Sequence, residues 1–276
     1  MGIARLATGR GSELALIDAA TGTWQRTGLS GDASWLTRTP LDDAPIRAAR
    51  AEKIEHALLL PPVVPQTIVG VGLNYRAHAA EQGLVLPTEP RIFLKNARSL
   101  AAPFADLPLH PASPHLDYEA ELGIVIGRDI FDVTPAEAEA AIAGWVIMQD
   151  YTLRDLVRPE TLPLGKGGPA MAPLGPWLTP VSKLPIAHAC QLGVRCWVNG
   201  ELRQDASTAD MHFGPVDLVH YIARYIALGP GDVIATGSPG GSGVGLSPPR
   251  WLAPGDIVET EIVSLGRLRQ RVIEPE

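Results

Sequence analysis

Glu119 and Glu121 stand two apart in the run Tyr118-Glu119-Ala120-Glu121-Leu122-Gly123-Ile124-Val125-Ile126. Side chains at i and i+2 of a strand share a face, roughly 6–7 Å apart. Two carboxylates held that close repel one another unless positive charge lies between them. The apolar residues that follow point to a strand in an interior, where a cation is the simplest remedy. The plainer alternative is a solvated edge strand with two exposed acids. Asp150 ends a second apolar run, Gly144-Trp145-Val146-Ile147-Met148-Gln149. A carboxylate there is destabilising unless it is paired or ligating, and a turn residue paired with Arg154 is the simpler option. Together, Glu119, Glu121 and Asp150 make a hard oxygen set suited to Mg2+ or Mn2+. Three protein ligands leave positions for water and substrate, as a catalytic ion requires.

His78 and Glu81 sit three apart in Asn74-Tyr75-Arg76-Ala77-His78-Ala79-Ala80-Glu81. On a helical turn they share a face, and a carboxylate that orients an imidazole makes a general base. A surface histidine is the simpler reading. Lys166 lies between glycines in Leu164-Gly165-Lys166-Gly167-Gly168-Pro169, where the backbone can approach a ligand closely and the ammonium favours a carboxylate or enolate. A solvated loop lysine is the competing view. The hydroxyl- and glycine-rich run Thr236–Gly245 leads into Leu246-Ser247-Pro248-Pro249 and lacks a Gly-Lys-Ser/Thr ending, so a nucleotide loop is rejected. Gly70-Val71-Gly72 lacks the third glycine of a dinucleotide fingerprint.

The elements that must position these residues are mostly strands. The 28 Gly and 26 Pro are scattered between short apolar runs, the pattern of short strands joined by turns. Arg5–Ala7 and Glu13–Ile17 read as a hairpin, and a helix is expected near 45–57. The stiff stretch Leu58–Pro65 marks a boundary, with a small N-terminal domain over 1–62 and a larger domain over 63–276. In the latter, strands are expected at Gln66–Gly72, Arg91–Lys95, Tyr118–Ile126 and Gly144–Asp150. Thr134-Pro135-Ala136-Glu137 starts a helix with a Thr cap and Glu three after it. A second helix is expected over Pro215–Ala227. Arg195–Leu202 is a hairpin on an Asn-Gly turn, and two Pro-Gly-Asp turns each precede a strand. The sum is an α+β, mostly β chain without regular βαβ alternation.

Composition narrows the partners. With 46% hydrophobic and 19% charged residues the chain is globular. A net charge of −7 without a basic block argues against nucleic acid, and no run of 18 apolar residues argues for a membrane span. The first residues lack the apolar core of a signal peptide. Cys190 and Cys196, with no CxxC partner, read as reduced thiols, so a cytoplasmic location is expected.

In order along residues 65–273, the motifs resemble the fumarylacetoacetate hydrolase family. They are Val71-Gly72-Leu73-Asn74-Tyr75 with His78 and Glu81, Phe93 with Lys95, Asp117-Tyr118-Glu119-Ala120-Glu121-Leu122, and Gln149-Asp150-Tyr151-Thr152-Leu153-Arg154-Asp155. Lys166 follows with Pro173-Leu174-Gly175-Pro176-Trp177, then Val198-Asn199-Gly200 and Pro230–Gly237. The resemblance implies a mixed β-roll catalytic domain, a small variable N-terminal domain and a homodimer. It implies Mg2+ or Mn2+, with Ca2+ as a substitute, on Glu119, Glu121 and Asp150. It implies a catalytic His78–Glu81 pair, Lys166 on the substrate, and substrate contacts from Tyr75, Arg154, Thr236 and Gly237. Two positions depart from the family pattern: Val157 stands where Gln is common, and Pro169, after Gly167 and Gly168, stands where Asp is common. Both are expected where substrate would be gripped.

The chemistry so implied is hydrolysis of a C–C bond in a small 2-oxo acid or 1,3-diketo acid through a metal-stabilised enolate. Water activated by His78 would attack the distal carbonyl. The same enolate also serves decarboxylation, isomerisation, tautomerisation or hydration in aromatic or sugar-acid catabolism. A non-catalytic sensor of 2-oxo acids on this scaffold is the non-enzyme alternative.

Overall fold

The two apolar runs that carry the acids become central strands of one large sheet. The computed structural model describes residues 1–19, 21–38, 54–158 and 160–275. Its longer strands are β1 (Gly2–Thr8), β2 (Gly11–Asp18), β3 (Thr23–Ser30), β4 (Ile68–Gly72), β5 (Arg91–Lys95), β6 (Ala120–Ile126) and β7 (Ile142–Gln149). They continue with β8 (Ala172–Pro180), β9 (Gly193–Val198), β10 (Glu201–Ser207), β11 (Val233–Ala235), β12 (Ile257–Ile262) and β13 (Gly266–Ile273). The main helices are α1 (Arg76–Glu81), α2 (Pro135–Ala141), α3 (Leu162–Lys166) and α4 (Pro215–Ala223). The large sheet runs β3-β2-β1-β8-β7-β6-β11-β4-β5, and a second sheet runs β10-β9-β12-β13. The architecture is the expected mostly-β α+β roll.

Every residue of β6 and β7 is buried, which explains why both read as unbroken apolar runs instead of alternating ones. They pair antiparallel, with Ala120 opposite Gln149 and Glu121 opposite Met148. Gly144 lets β8 close on β7: a Cβ there would lie 2.2 Å from the Thr179 carbonyl oxygen. α2 begins as expected, with Thr134 and Glu137 forming a reciprocal capping box, and it packs on α4. α4 ends at Ala223, four residues before the expected stop. The Asn199-Gly200 turn has both residues at positive φ, 53° and 79°, as a two-residue hairpin needs.

The N-terminal hairpin extends by a third strand, β3, that the sequence pattern did not announce. β1 joins the large sheet through Ile3 opposite Leu178 of β8. Ile3, Leu14, Leu16 and Trp35 share one buried cluster with Val63, Val125, Val146 and Met148. The helix expected near 45–57 lies outside the described residues up to 53; the part that is described holds a 3-10 turn, His56–Leu58. Among the described residues, no helix is long and apolar enough to cross a membrane.

Candidate active site

Antiparallel pairing places the start of β6 beside the end of β7. Glu119 therefore sits next to Asp150, whose amide donates to the Glu119 carbonyl at 2.9 Å. Glu119 lies one residue ahead of β6, where the ladder has opened. Two buried glutamine side chains take over the free amides: Gln149 Oε1 accepts from Glu119 N at 2.8 Å and Gln204 Oε1 from Ala120 N at 3.0 Å. Glu121 follows on the face of Glu119. Carboxylate oxygens of Glu119, Glu121 and Asp150 lie within 4.8 Å of one another, all three residues buried.

Three cations meet this cluster. Lys166 Nζ donates to Glu119 Oε2 at 2.5 Å and to Asp150 Oδ2 at 2.6 Å. Lys95 Nζ stands 2.7 Å from Asp150 Oδ1, an ion pair without regular hydrogen-bond geometry. Arg154 bridges Asp117 at 2.7 Å and Glu119 at 2.6 Å and does not pair with Asp150. Burial works against the charge of Glu119, but Arg154 and Lys166 outweigh it and hold this carboxyl well below the usual range. Glu121 is the contrast. Burial raises it first, and the charges of Asp150 and Glu119 push it further. It makes no ion pair among the described residues and accepts one amide bond, from Gly237 N at 2.8 Å. A buried carboxylate so placed, among oxygen donors only, fits a hard divalent ion such as Mg2+ or Mn2+.

The remaining predicted residues fall into two groups. His78 Nδ1 lies 3.1 Å from Glu81 Oε2 on α1. A carboxylate only accepts, so Nδ1 carries the proton, and the Gln82 side-chain amide lies 3.1 Å from Nε2. Glu81 is held in turn by Gly241 N at 3.2 Å. The triad, His78, Arg154 and Lys166 line one cavity of about 270 Å3. Tyr75 and Thr236 lie behind this lining. Tyr75 is fully buried, with its phenol raised by burial and then by Glu121 and Asp210. Thr236 directs its hydroxyl to the Leu122 carbonyl at 2.9 Å. Gly237 touches the site through its amide on Glu121. Lys166 is buried at the end of α3, which removes the solvated-loop alternative.

Val157 lines the cavity as expected. Pro169 does not: it lines a separate cavity with Leu109, Leu153 and Met171, because the chain turns away from the site through Gly167 and Gly168 once Lys166 has entered it.

Sequence reasoning left Lys95, Asp117, Gln149, Gln204 and Gln82 without roles. Asp117 explains the glycine-rich loop. It accepts from Gly243 N at 2.7 Å and Val244 N at 3.1 Å, while the same loop serves Glu121 and Glu81. The loop is an amide cradle for anions, and the anions are the protein's own carboxylates. The signal for Asp117 was present in its place two residues before Glu119.

Fold and site define a class: mixed β-roll enzymes whose centre is a buried carboxylate triad able to hold a divalent ion. Comparison names the family. The model for the fumarylacetoacetate (FAA) hydrolase C-terminal domain matches residues 67–273, and the chain belongs to the fumarylacetoacetate hydrolase family. It is 37% identical over 222 residues to the mitochondrial oxaloacetate tautomerase FAHD2B of Homo sapiens, covering 79% of this chain and 70% of that one. It is similar in structure to a fumarylacetoacetate hydrolase from psychrophilic Exiguobacterium antarcticum, at 30% identity and TM-score 0.88 over 99% of each chain. A fumarylpyruvate hydrolase from Pseudomonas aeruginosa, solved with Mn2+ and pyruvate, aligns at 29% identity and TM-score 0.68 over 78% of this chain and 91% of that one.

Proposed function

We propose that the chain is a divalent-metal-dependent hydrolase that cleaves a C–C bond in a 2-oxo acid or 1,3-diketo acid of the acylpyruvate type. The observation that carries this reading is the His78–Glu81 pair on the same cavity as the carboxylate triad. Glu119, Glu121 and Asp150 would hold Mg2+ or Mn2+, which supplies Lewis acidity toward substrate oxygens. His78 Nε2 takes a proton from water once the Gln82 amide is displaced, and Glu81 stabilises the imidazolium that forms. The hydroxide adds to the distal carbonyl carbon. The C–C bond then breaks toward the 2-oxo acid fragment, and its electron pair becomes enolate charge beside Lys166. The proton on His78 returns to that fragment's carbon. Lys95 fixes Asp150, and Arg154 fixes Glu119 and Asp117, so the acids keep their places through the cycle.

A second reading has its own support in the 37% identity to a human oxaloacetate tautomerase. His78 would then move a proton between carbon and oxygen without adding water. Assays with Mn2+ separate the two. Hydrolysis of acetylpyruvate or fumarylpyruvate removes the ultraviolet absorbance of the enol and releases pyruvate, whereas tautomerisation of oxaloacetate removes it with no fragment released. Glu119→Ala and Asp150→Ala are expected to abolish either activity; survival near wild-type rate would reject the metal assignment. Release of pyruvate that persists at full rate in His78→Gln would reject the hydrolytic role of His78.

A further inference from the structure

Of the three cationic side chains that line the cavity, two are engaged: Lys166 and Arg154 each hold two carboxylates. Arg91, the first residue of β5, also lines it. It is exposed and makes no ion pair or side-chain hydrogen bond among the described residues. The acids in the lining are Glu119, Glu121 and Asp150, all at the metal end. Opposite Arg91 across the strand pair is Gly72, which has no side chain to cover the guanidinium.

The strand itself sets the spacing. Lys95, Phe93 and Arg91 alternate along β5 and share a face. Lys95 Nζ reaches Asp150 at 2.7 Å, and the Phe93 ring centroid lies 5.0 Å from Lys166 Nζ. That face therefore runs from the triad, along an aromatic wall, to Arg91. Each two-residue step advances about 6.5 Å, so the backbones of Lys95 and Arg91 are separated by about 13 Å. A small ligand anchored at the triad would lay its carbon chain on Phe93 and end near Arg91. A guanidinium in that place is matched by a carboxylate, which it can hold through two parallel hydrogen bonds.

We propose that Arg91 is a specificity-determining residue that binds a second carboxylate at the far end of the substrate, so that short dicarboxylic 2-oxo acids are the preferred class. This rests on the 2-oxo acid reading of the site given above and names the substrate class within it.

The test is calorimetric binding to the Mn2+-loaded protein of 2-oxoglutarate and 2-oxopentanoate, which differ in the distal carboxylate and share the chain length. Wild type is expected to bind 2-oxoglutarate at least about tenfold more tightly. Arg91→Met is expected to erase that preference, with 2-oxopentanoate and Mn2+ affinities unchanged, and Arg91→Lys to keep part of it. Arg91 is exposed on a sheet edge, and thermal melting of both variants checks that they fold. Equal binding of the two acids by wild type, or a preference that survives in Arg91→Met, overturns the role of Arg91 alone. Binding of neither acid overturns the 2-oxo acid reading and this assignment with it.

Discussion

A buried carboxylate with one amide donor and two acidic neighbours is a destabilising group, and Glu121 is placed in that way. Its use becomes clear only with a cation beside it. Mn2+ at about 100 times its Kd is expected to stabilise the native chain by roughly 2.7 kcal/mol, a rise in Tm of about 5 to 10 °C. In Glu121→Gln that rise should vanish, and Mn2+ affinity should fall by more than the 10- to 100-fold loss typical of outer-shell partners. Calorimetry and thermal melts with and without Mn2+ measure both. The thiols give an independent check on packing. Burial pushes the Cys196 thiol up to about 12, while Cys190 is only half-buried. At pH 8 a thiol reagent should label Cys190 in the folded protein, and Cys196 only after denaturation.

At the scale of elements, the loop after β11 is the device that brings separate parts of the site together. Gly241 has φ +90°, and a Cβ there would lie 2.0 Å from the Arg203 carbonyl oxygen. Gly241→Ala must therefore displace the loop and release Glu81. The expected result is a fall in kcat of about 100-fold, the scale of a general base's contribution, with Mn2+ affinity held. Steady-state kinetics beside a Mn2+ titration would expose the split; equal losses in both would mean that the loop serves the metal end as well. These elements also show what a single sequence can reveal. The central strands, the capped helix and the Asn-Gly hairpin were legible because each depends on local patterning: apolar runs, a capping box, a turn dipeptide. Glu119, Glu121 and Asp150 were legible as acids bordering such runs. Lys95, Gln149 and Gln204 were not, because their roles depend on partners between 30 and 111 residues away. Nothing local separates a glutamine that replaces a ladder bond from one on a surface. The glycine-rich run lacks the ending of a nucleotide loop, and its use for internal carboxylates needed the fold to bring residue 117 to residue 243.

For the whole molecule, the first strands and the larger body share buried side chains. Removing residues 1–62 would uncover Val63, Val125, Val146 and Met148, each contributing about 1.5–3 kcal/mol when buried. The truncated chain is expected to unfold at a clearly lower urea concentration, or to aggregate, although every proposed catalytic residue is retained. An unchanged midpoint would mean that the N-terminal strands are an appendage. Arg5 illustrates the attachment from the other side: its guanidinium, lowered by burial, donates to the Gly31 and Pro61 carbonyls.

The amide cradle also bears on how the protein is made. Its bonds join Gly237 to Glu121, Gly241 to Glu81 and Gly243 to Asp117 across 116, 160 and 126 residues of chain. Contacts of such long range close late, since loop-closure entropy must be overcome before they form. During refolding from denaturant, secondary structure should therefore return before the capacity to bind Mn2+. A chain emerging from the ribosome would stay inert until residues 237–244 had been released and folded back onto the earlier strands.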